Sequence, residues 1–549
     1  MSDSRTRKPA RLLVSVVATL LALSACSAID ETSAGNTTTA ERAAGGEIVF
    51  GAEDEPSGFN YATSKDSILG VRDVVENLFF FAAKSRPDGT LYYEGLAAEP
   101  AIVSDQPQIV EWKINPDSTW SDGTPVTTQD IKYYFDNVTN PKNDVASRVG
   151  YDLISKLDLV DAKTFRATFR SRYGDFRGLW QAVPQAAHLK STPGGWENGL
   201  NNDPGPSAGP YKFERWTKGE SITLVPNPQW KLQPKPTVDR IVFRFLPESS
   251  TIPDALRNQE INIVEAQAQL DLMQDLQHVD GLKLEISTGP RFEHLVLNHK
   301  DPVVGDPAVR KAIAHALDRD AIVKALVAPF QPEAKRLDNM VLTNAQAPGS
   351  EPHGEQYHSA DPEAAKRILQ YAGWIPGPNG VRAKSGKQLT IQFSAVAGNQ
   401  RQEQTLELIK NQLSKVGINL TIDTCPAACL FSDRLPAGKF QITLKGFSGS
   451  PFPVADARAR FGTGGGDNYS KYSNARFDEL AKQAAETLQA QEQIRLANEM
   501  DKVLWEDLPM LPLFQRPDLV AYRASLVGIE PNGTRDGVLW NAAGWGLSK

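Results

Sequence analysis

Cysteine is scarce: three residues in 549, at Cys26, Cys425 and Cys429. So few cannot staple a fold, which excludes a disulfide-dense scaffold. Positive charge is concentrated nowhere beyond the first dozen residues, and the formal net charge is −7. A nucleic-acid partner, which needs a basic face, is therefore not expected. Histidine is sparse, with seven residues. His353 and His358, in HGEQYH, miss the H-E-x-x-H spacing that sets two imidazoles on one helical face. Ser448, in GFSGS, misses G-x-S-x-G at its last position. No catalytic residue, metal ligand or cofactor is assigned, and an enzyme is not expected. Long apolar runs are also missing, apart from Leu12 to Leu23, which is too short for a permanent membrane span.

That short run sits in a meaningful place. Arg5, Arg7, Lys8 and Arg11 precede it, and Leu23-Ser24-Ala25-Cys26 follows. A positive stretch, an apolar stretch and small residues make an export signal, here closing on a lipobox. Residues 1–25 are expected to be the signal peptide and Cys26 to be acylated, with a plain secretory peptide as the alternative. No twin arginine precedes the run, which favours the Sec route over Tat. Residues 26–46 are small, polar and aperiodic, and a coil of that length would hold a body about 25 Å from a membrane. The expected location is outside the cytoplasm, on the outer face of the plasma membrane or in a periplasm.

The length exceeds one ordinary core, so two or more lobes are expected. The most informative stretch is Ile109 to Phe135. Val110, Trp112 and Ile114 alternate with Glu111 and Lys113 as in a half-buried strand. Turn residues follow at Asn115 to Asp117 and Ser121 to Gly123. A helix then begins, with Thr127 as cap, Asp130 three residues on, and Val126 and Ile131 as a hydrophobic staple. Further along, Asp306-Pro307 opens a helix whose buried stripe is Val309, Ile313, Ala316 and Leu317. Helices are also expected at Leu69 to Phe81 and Arg476 to Leu504. Strand, helix and strand alternate from Leu389 to Ile422, the rhythm of an α/β lobe with a partly parallel sheet. Cys425 and Cys429 lie four residues apart around Pro-Ala-Ala, and in an exported chain a small-loop disulfide is the natural reading.

Several blocks carry a resemblance. WSDGTPVT at Trp120 to Thr127, GPYKF at Gly209 to Phe213 with Asn227-Pro228 and Trp230, DPAVRKAI at Asp306 to Ile313 followed by ALDR at Ala316 to Arg319, and NYSKYSN at Asn468 to Asn474 occur in that order. Together the chain resembles the extracytoplasmic solute-binding proteins of family 5, the dipeptide- and oligopeptide-binding lipoproteins of ABC importers. The resemblance implies an α/β, two-lobed periplasmic-binding-protein-like fold of class II, the peptide-binding type with an extra subdomain, and a hinge with two crossovers. The expected division is 47–80, 208–297 and 511–549 for the core of lobe I, 81–207 for its extra subdomain, and 298–510 for lobe II. The implied function is capture of a peptide or peptide-like solute in an interlobe cleft and delivery to ABC permease subunits, by a monomer. The alternative is the same fold binding a glycan, lipid headgroup, metal chelate or haem, or acting as a sensor or envelope-assembly protein.

The implied ligand-binding residues are Phe447, Ser448, Gly449 and Ser450, with Ser67 and Ile68 on a facing loop. Arg434 and Arg291 are candidates for a carboxylate, and Phe292 and His294 flank the hinge strand. Peptide-binding members carry G-W-x-x-D where this chain has GFSGS, so Ser450 stands where an aspartate would meet the peptide ammonium. An ammonium left without a counter-charge out of water costs several kcal/mol. Either another carboxylate serves, with Asp456 nearby, or the solute presents no free amine at that point.

Overall fold

The computed structural model describes residues 42–343, 349–427 and 429–549. The signal segment, Cys26 and nearly all of the tether lie outside the described residues.

A ten-stranded sheet runs through the molecule. In spatial order its strands are Asn419–Cys425, Thr390–Val396, Ile442–Ser448, Leu282–Leu297, Met510–Arg523, Ile263–Gln267, Glu47–Ala52, Arg240–Phe245, Ser221–Pro226 and Tyr211–Thr217. Thr390–Val396 is parallel to both of its neighbours, and Glu47–Ala52 to both of its own. These are the two α/β halves. Between them, Leu282–Leu297 and Met510–Arg523 form a long antiparallel ladder. One strand carries the chain out of the first half and the other brings it back, which gives the two crossovers.

Hydrophobic burial divides along that ladder. One core gathers Ile48, Phe50, Trp112, Phe243 and Trp545, and another gathers Leu295, Ile313, Phe393, Phe477 and Trp505. Phe292 and Phe514 belong to the second core. Leu519 and Ala521 face a small third cluster, while Val520 and Tyr522 face the first core. That alternation is the period of two that puts successive side chains on opposite faces. The cores change hands where the ladder is irregular, between Thr288 and Phe292. The expected divisions at 297/298 and 510/511 lie at or beside the strand ends, several residues past that change, so Phe292 to Leu297 and Leu511 to Phe514 pack with the second core rather than the first.

The extra subdomain is a four-stranded antiparallel sheet ordered Ala101–Asp105, Gln108–Lys113, Thr164–Phe169, Ile154–Leu159. Trp112 stacks on Phe165 at 5.4 Å and meets Trp180 edge-on. The helix Thr128–Val138 has its capping box: Gln129 N–H donates to Thr127 Oγ1, and Thr127 N–H to Asp130 Oδ2 at 2.9 Å. Asp130 Oδ1 also accepts the Ala186 N–H at 2.9 Å. One carboxylate therefore joins the cap to the next helix.

Two expected helices differ. Leu69–Val75 stops six residues short of Phe81, because Leu78 to Phe81 turn their apolar side chains into the core and Phe80 pairs with Val183. The long segment from Arg476 is two helices, Ala475–Glu486 and Ala490–Asp507. Thr487, in extended conformation at the break, shapes a corner that touches the subdomain.

Candidate functional site

A cavity of about 250 Å³ lies between the two halves. The β-strand-to-helix loop of the first half contributes Tyr61 and Ser67, with Arg72 from the helix behind it. The subdomain adds Tyr134, Tyr151, Tyr173 and Asp175, and the second half adds Ser450, Pro451, Phe452 and Ala455. Arg535 and Asp536 come from a loop near the C-terminus.

On the second-half wall, the strand Ile442–Ser448 ends and Pro453–Phe461 begins a helix. Ser450 N–H donates to Asp456 Oδ2 at 2.6 Å, and its Oγ donates to Oδ1 at 2.9 Å. The carboxylate missing at position 450 thus stands behind the serine, in the first turn of the helix. Burial raises its pKa, against the opposing pull of Arg460 and the Ser450 hydrogen bonds.

The opposite wall is set by the loop around Arg535. Asn532 Nδ2 donates to Ser85 O at 2.9 Å, and Asp536 takes the Ser85 N–H and pairs with Arg72. Arg291 Nη2 donates to Thr534 O at 3.3 Å, and Val538 N–H to Glu265 Oε2 at 2.8 Å. Gly533 packs on Gly289 so tightly that a Cβ on Gly289 would sit 1.7 Å from Gly533 O. Arg72 is also 3.8 Å from Glu76, whose pKa burial pushes up to about 8. Burial works to raise the Tyr61 phenol, but the charges of Arg535 and Arg72 outweigh it and lower it.

The subdomain closes one side of the cleft. Gly174 N–H donates to Ala485 O at 2.6 Å, and Gln493 Nε2 to Asp175 Oδ1 at 3.0 Å. Any Cβ on Gly174 would lie 2.4 Å from Thr487 O. Burial pushes Asp175 up to about 6.

Of the sequence-derived candidates, Ser67 and Ser450 line this cavity from opposite halves. Ile68 is exposed, in extended conformation just before its helix. Gly449 N–H donates to Pro290 O at 2.8 Å, just past the end of the Ile442–Ser448 pairing with Leu282–Leu297. Phe447 packs on Phe292 at 5.5 Å, with the Arg460 guanidinium 4.1 Å over the Phe447 ring. His294 is 2 % exposed, and burial, with Lys445 and Arg460 adding to it, holds its pKa well below the usual range. Ser448 and Arg291 line a second cavity, of about 220 Å³, with Glu53, Asp73, Glu265 and Asp518. There Arg291 Nη1 lies 2.8 Å from Asp518 and 3.1 Å from Glu265, and these carboxylates outweigh burial to raise its pKa. Arg434 pairs with Asp423 and lines neither cavity. Cys425 and Cys429 are disulfide-bonded with Cα atoms 6.0 Å apart. Arg535 is absent from the sequence-derived candidates. Its signal is an arginine inside Asn532-Gly533-Thr534-Arg535-Asp536-Gly537, a run otherwise made of turn residues. Among the described residues, no group of three or more His, Cys, Asp or Glu side chains is placed to hold a metal ion. No described helix is long and apolar enough to cross a membrane.

The model of "Bacterial extracellular solute-binding proteins, family 5 Middle" matches residues 92–469. The oligopeptide-binding protein OppA of Mycobacterium tuberculosis is 27 % identical over 504 residues, which is 90 % of this chain and 83 % of that one. An uncharacterized lipoprotein of Mycobacterium leprae is 25 % identical over 97 % of both chains. Among solved structures, the periplasmic EDTA-binding protein EppA matches with a TM-score of 0.88 and 25 % identity, over 93 % of this chain and 98 % of its own.

Proposed function

The chain belongs to the bacterial extracellular solute-binding proteins of family 5, and from that premise we propose that it captures a peptide or peptide-like solute in the interlobe cleft and hands it to ABC permease subunits. Solute binding itself is the role of the family and of the named relatives, which are binding proteins and not enzymes. The observation that carries the reading is the cavity whose wall is split between halves, with Ser67, Arg72 and Arg535 on one side and Ser450 to Phe452 on the other. A solute touching both walls favours the closed arrangement over the open one, because only differential contact shifts such an equilibrium.

In this reading the lobes are 47–80 with 208–297 and 511–549, and 298–510, with 81–207 as the subdomain, except that Phe292 to Leu297 and Leu511 to Phe514 go with the second lobe, whose core they join. They move about the bulged ladder at Thr288 to Phe292 and its partner strand. Ser67 and Ser450 line the ligand face, Phe447, Ser448 and Gly449 lead up to it from the strand end with Ser448 lining the second cavity, Ile68 flanks it, and Phe292 and His294 support it from below. Arg291 positions the loop that holds Arg535, and Arg434 steadies the disulfide-bonded turn. The protein is a monomer, acylated on Cys26 and held outside the cytoplasm. Extracting the purified full chain with denaturant and identifying released molecules by mass spectrometry tests the reading. It expects a peptide or a compact amino-acid-like solute, and recovery of none after loading with a cell extract contradicts it.

One observation favours a second reading, a non-peptide chelate or similar small solute. The cavity, at about 250 Å³, is smaller than the 300–1,000 Å³ usual for ligand pockets. The relative EppA is by its printed name an EDTA-binding protein.

A further inference from the structure

Arg535 stands apart from the other charged groups of the cleft. Arg72 is paired with Asp536, and Arg177 is paired with Glu99 at 2.5 Å. Among the described residues, no carboxylate lies within ion-pair distance of Arg535. The residues around it are buried: Asn532 is 0 % exposed, Thr534 4 % and Asp536 3 %. Only the Arg535 side chain of that run opens to solvent, into the cavity. The loop on both sides is fixed, by the Asn532 side chain to Ser85 and by the Thr534 and Val538 backbone to Arg291 and Glu265. A pinned loop that exposes one guanidinium is a preorganised anchor, since little further ordering is needed on binding.

The guanidinium fork matches the two oxygens of a carboxylate, and so does a phosphate. The charge count separates them. Asp456 and Asp467 act on Arg535 only from beyond ion-pair distance, so one guanidinium without a contact ion pair suits the single charge of a carboxylate and leaves a phosphate dianion half neutralised. Tyr61, beside Arg535, adds a phenol as a second donor. The small volume limits the rest of the solute, and Tyr134, Tyr151 and Phe452 give that remainder an aromatic enclosure.

We propose that Arg535 is the specificity-determining anchor of the cleft and that the solute is a compact molecule bearing a carboxylate, which this guanidinium holds beside Tyr61. The proposal rests on the cleft being the solute site. Position 450 reads the other end of the solute through Ser450 and Asp456, so the carboxylate end carries the charge recognition on the first-half wall.

The test uses the full chain stripped of copurified molecules by unfolding and refolding. Titration calorimetry is run with carboxylate probes (alanyl-alanine, trialanine, citrate), with probes lacking a carboxylate (alanyl-alanine amide, trialanine amide, glucose), and with glycerol 3-phosphate. At least one carboxylate probe is expected to bind, and more tightly than any probe lacking the carboxylate. Arg535→Gln is expected to weaken that binding roughly 10–100-fold, with Arg535→Lys in between and far-UV circular dichroism unchanged in both. Equal binding of acids and amides, full affinity in Arg535→Gln, or binding of only the phosphate probe or the probes lacking a carboxylate would overturn the anchor while leaving the cleft as a solute site. Failure of every probe would count against both.

Discussion

Single side chains carry two measurable consequences. Asp130 satisfies the Thr127 N–H and the Ala186 N–H and accepts from Trp120 Nε1 at 3.4 Å. Asp130→Ala removes the cap and leaves buried donors unmet, so the expected cost is about 2–4 kcal/mol, read from urea unfolding monitored by tryptophan fluorescence. His353 donates from Nδ1 to Asp501 at 2.8 Å, and that bond raises its pKa. A histidine with a raised folded pKa contributes stability that is fully present below its unfolded value near 6.5 and lost as pH rises through the folded value. Burial pushes Asp501 up to about 6, so ionising it also weakens the fold as pH climbs from about 4 to 6. Thermal stability is expected to fall with rising pH from 6.5 upward, and His353→Gln to flatten that fall; a slope unchanged in the variant contradicts the assignment. At this scale the sequence was most legible where a residue type has one local job. Thr127, Asp130 and Asp306 are caps as their spacing implies. Arg291 and His294 were legible as residues at the hinge strand, but the carboxylates that hold Arg291 come from Glu265 and Asp518, distant in the chain.

Among elements, the irregular ladder and the subdomain loop decide what the cleft does. The blocks that reveal the family are clasps. Arg319 of ALDR donates to Leu337 O at 2.7 Å and lies under Trp505, and Arg310 of DPAVRKAI donates to Asp507 O at 2.9 Å. They report the fold because each fixes one strand or helix end to another, and for the same reason they say little about the solute. Arg535 lies outside every such block, and its role follows from Gly289, Ser85 and Glu265, which no local pattern links to it. Gly289→Ala forces a Cβ onto the Gly533 backbone and must displace the Arg535 loop. It is expected to weaken solute binding about as much as Arg535→Gln, with the lobes still folded by circular dichroism; unaltered affinity would show the loop is not the anchor's support. Gly174→Val blocks the approach to Thr487 and Ala485. The expected result is a weaker affinity through faster release, by stopped-flow fluorescence, with the melting temperature nearly unchanged. The single long helix expected from Arg476 failed for a related reason. Its break at Thr487 to Gln489 is set by contact with the subdomain, and periodicity along the chain carries no trace of a partner across a cleft.

For the molecule as a whole, two cores on one continuous sheet allow each half to stay rigid while the bulged ladder bends. The α/β alternation and the length made the two halves legible from the chain alone. The cleft's size and charge were not, because they depend on where four separate segments meet. Cys26→Ala is expected to free the protein from the membrane fraction, and retention of the variant contradicts the anchor. The most direct test of the account is small-angle X-ray scattering of the stripped full chain, before and after loading with a cell extract of small molecules. The account predicts a smaller radius of gyration on loading, as the halves close over a solute, with Gly174→Val showing less of the change. An unchanged radius in a protein that has taken up a solute would contradict a cleft that closes on its ligand.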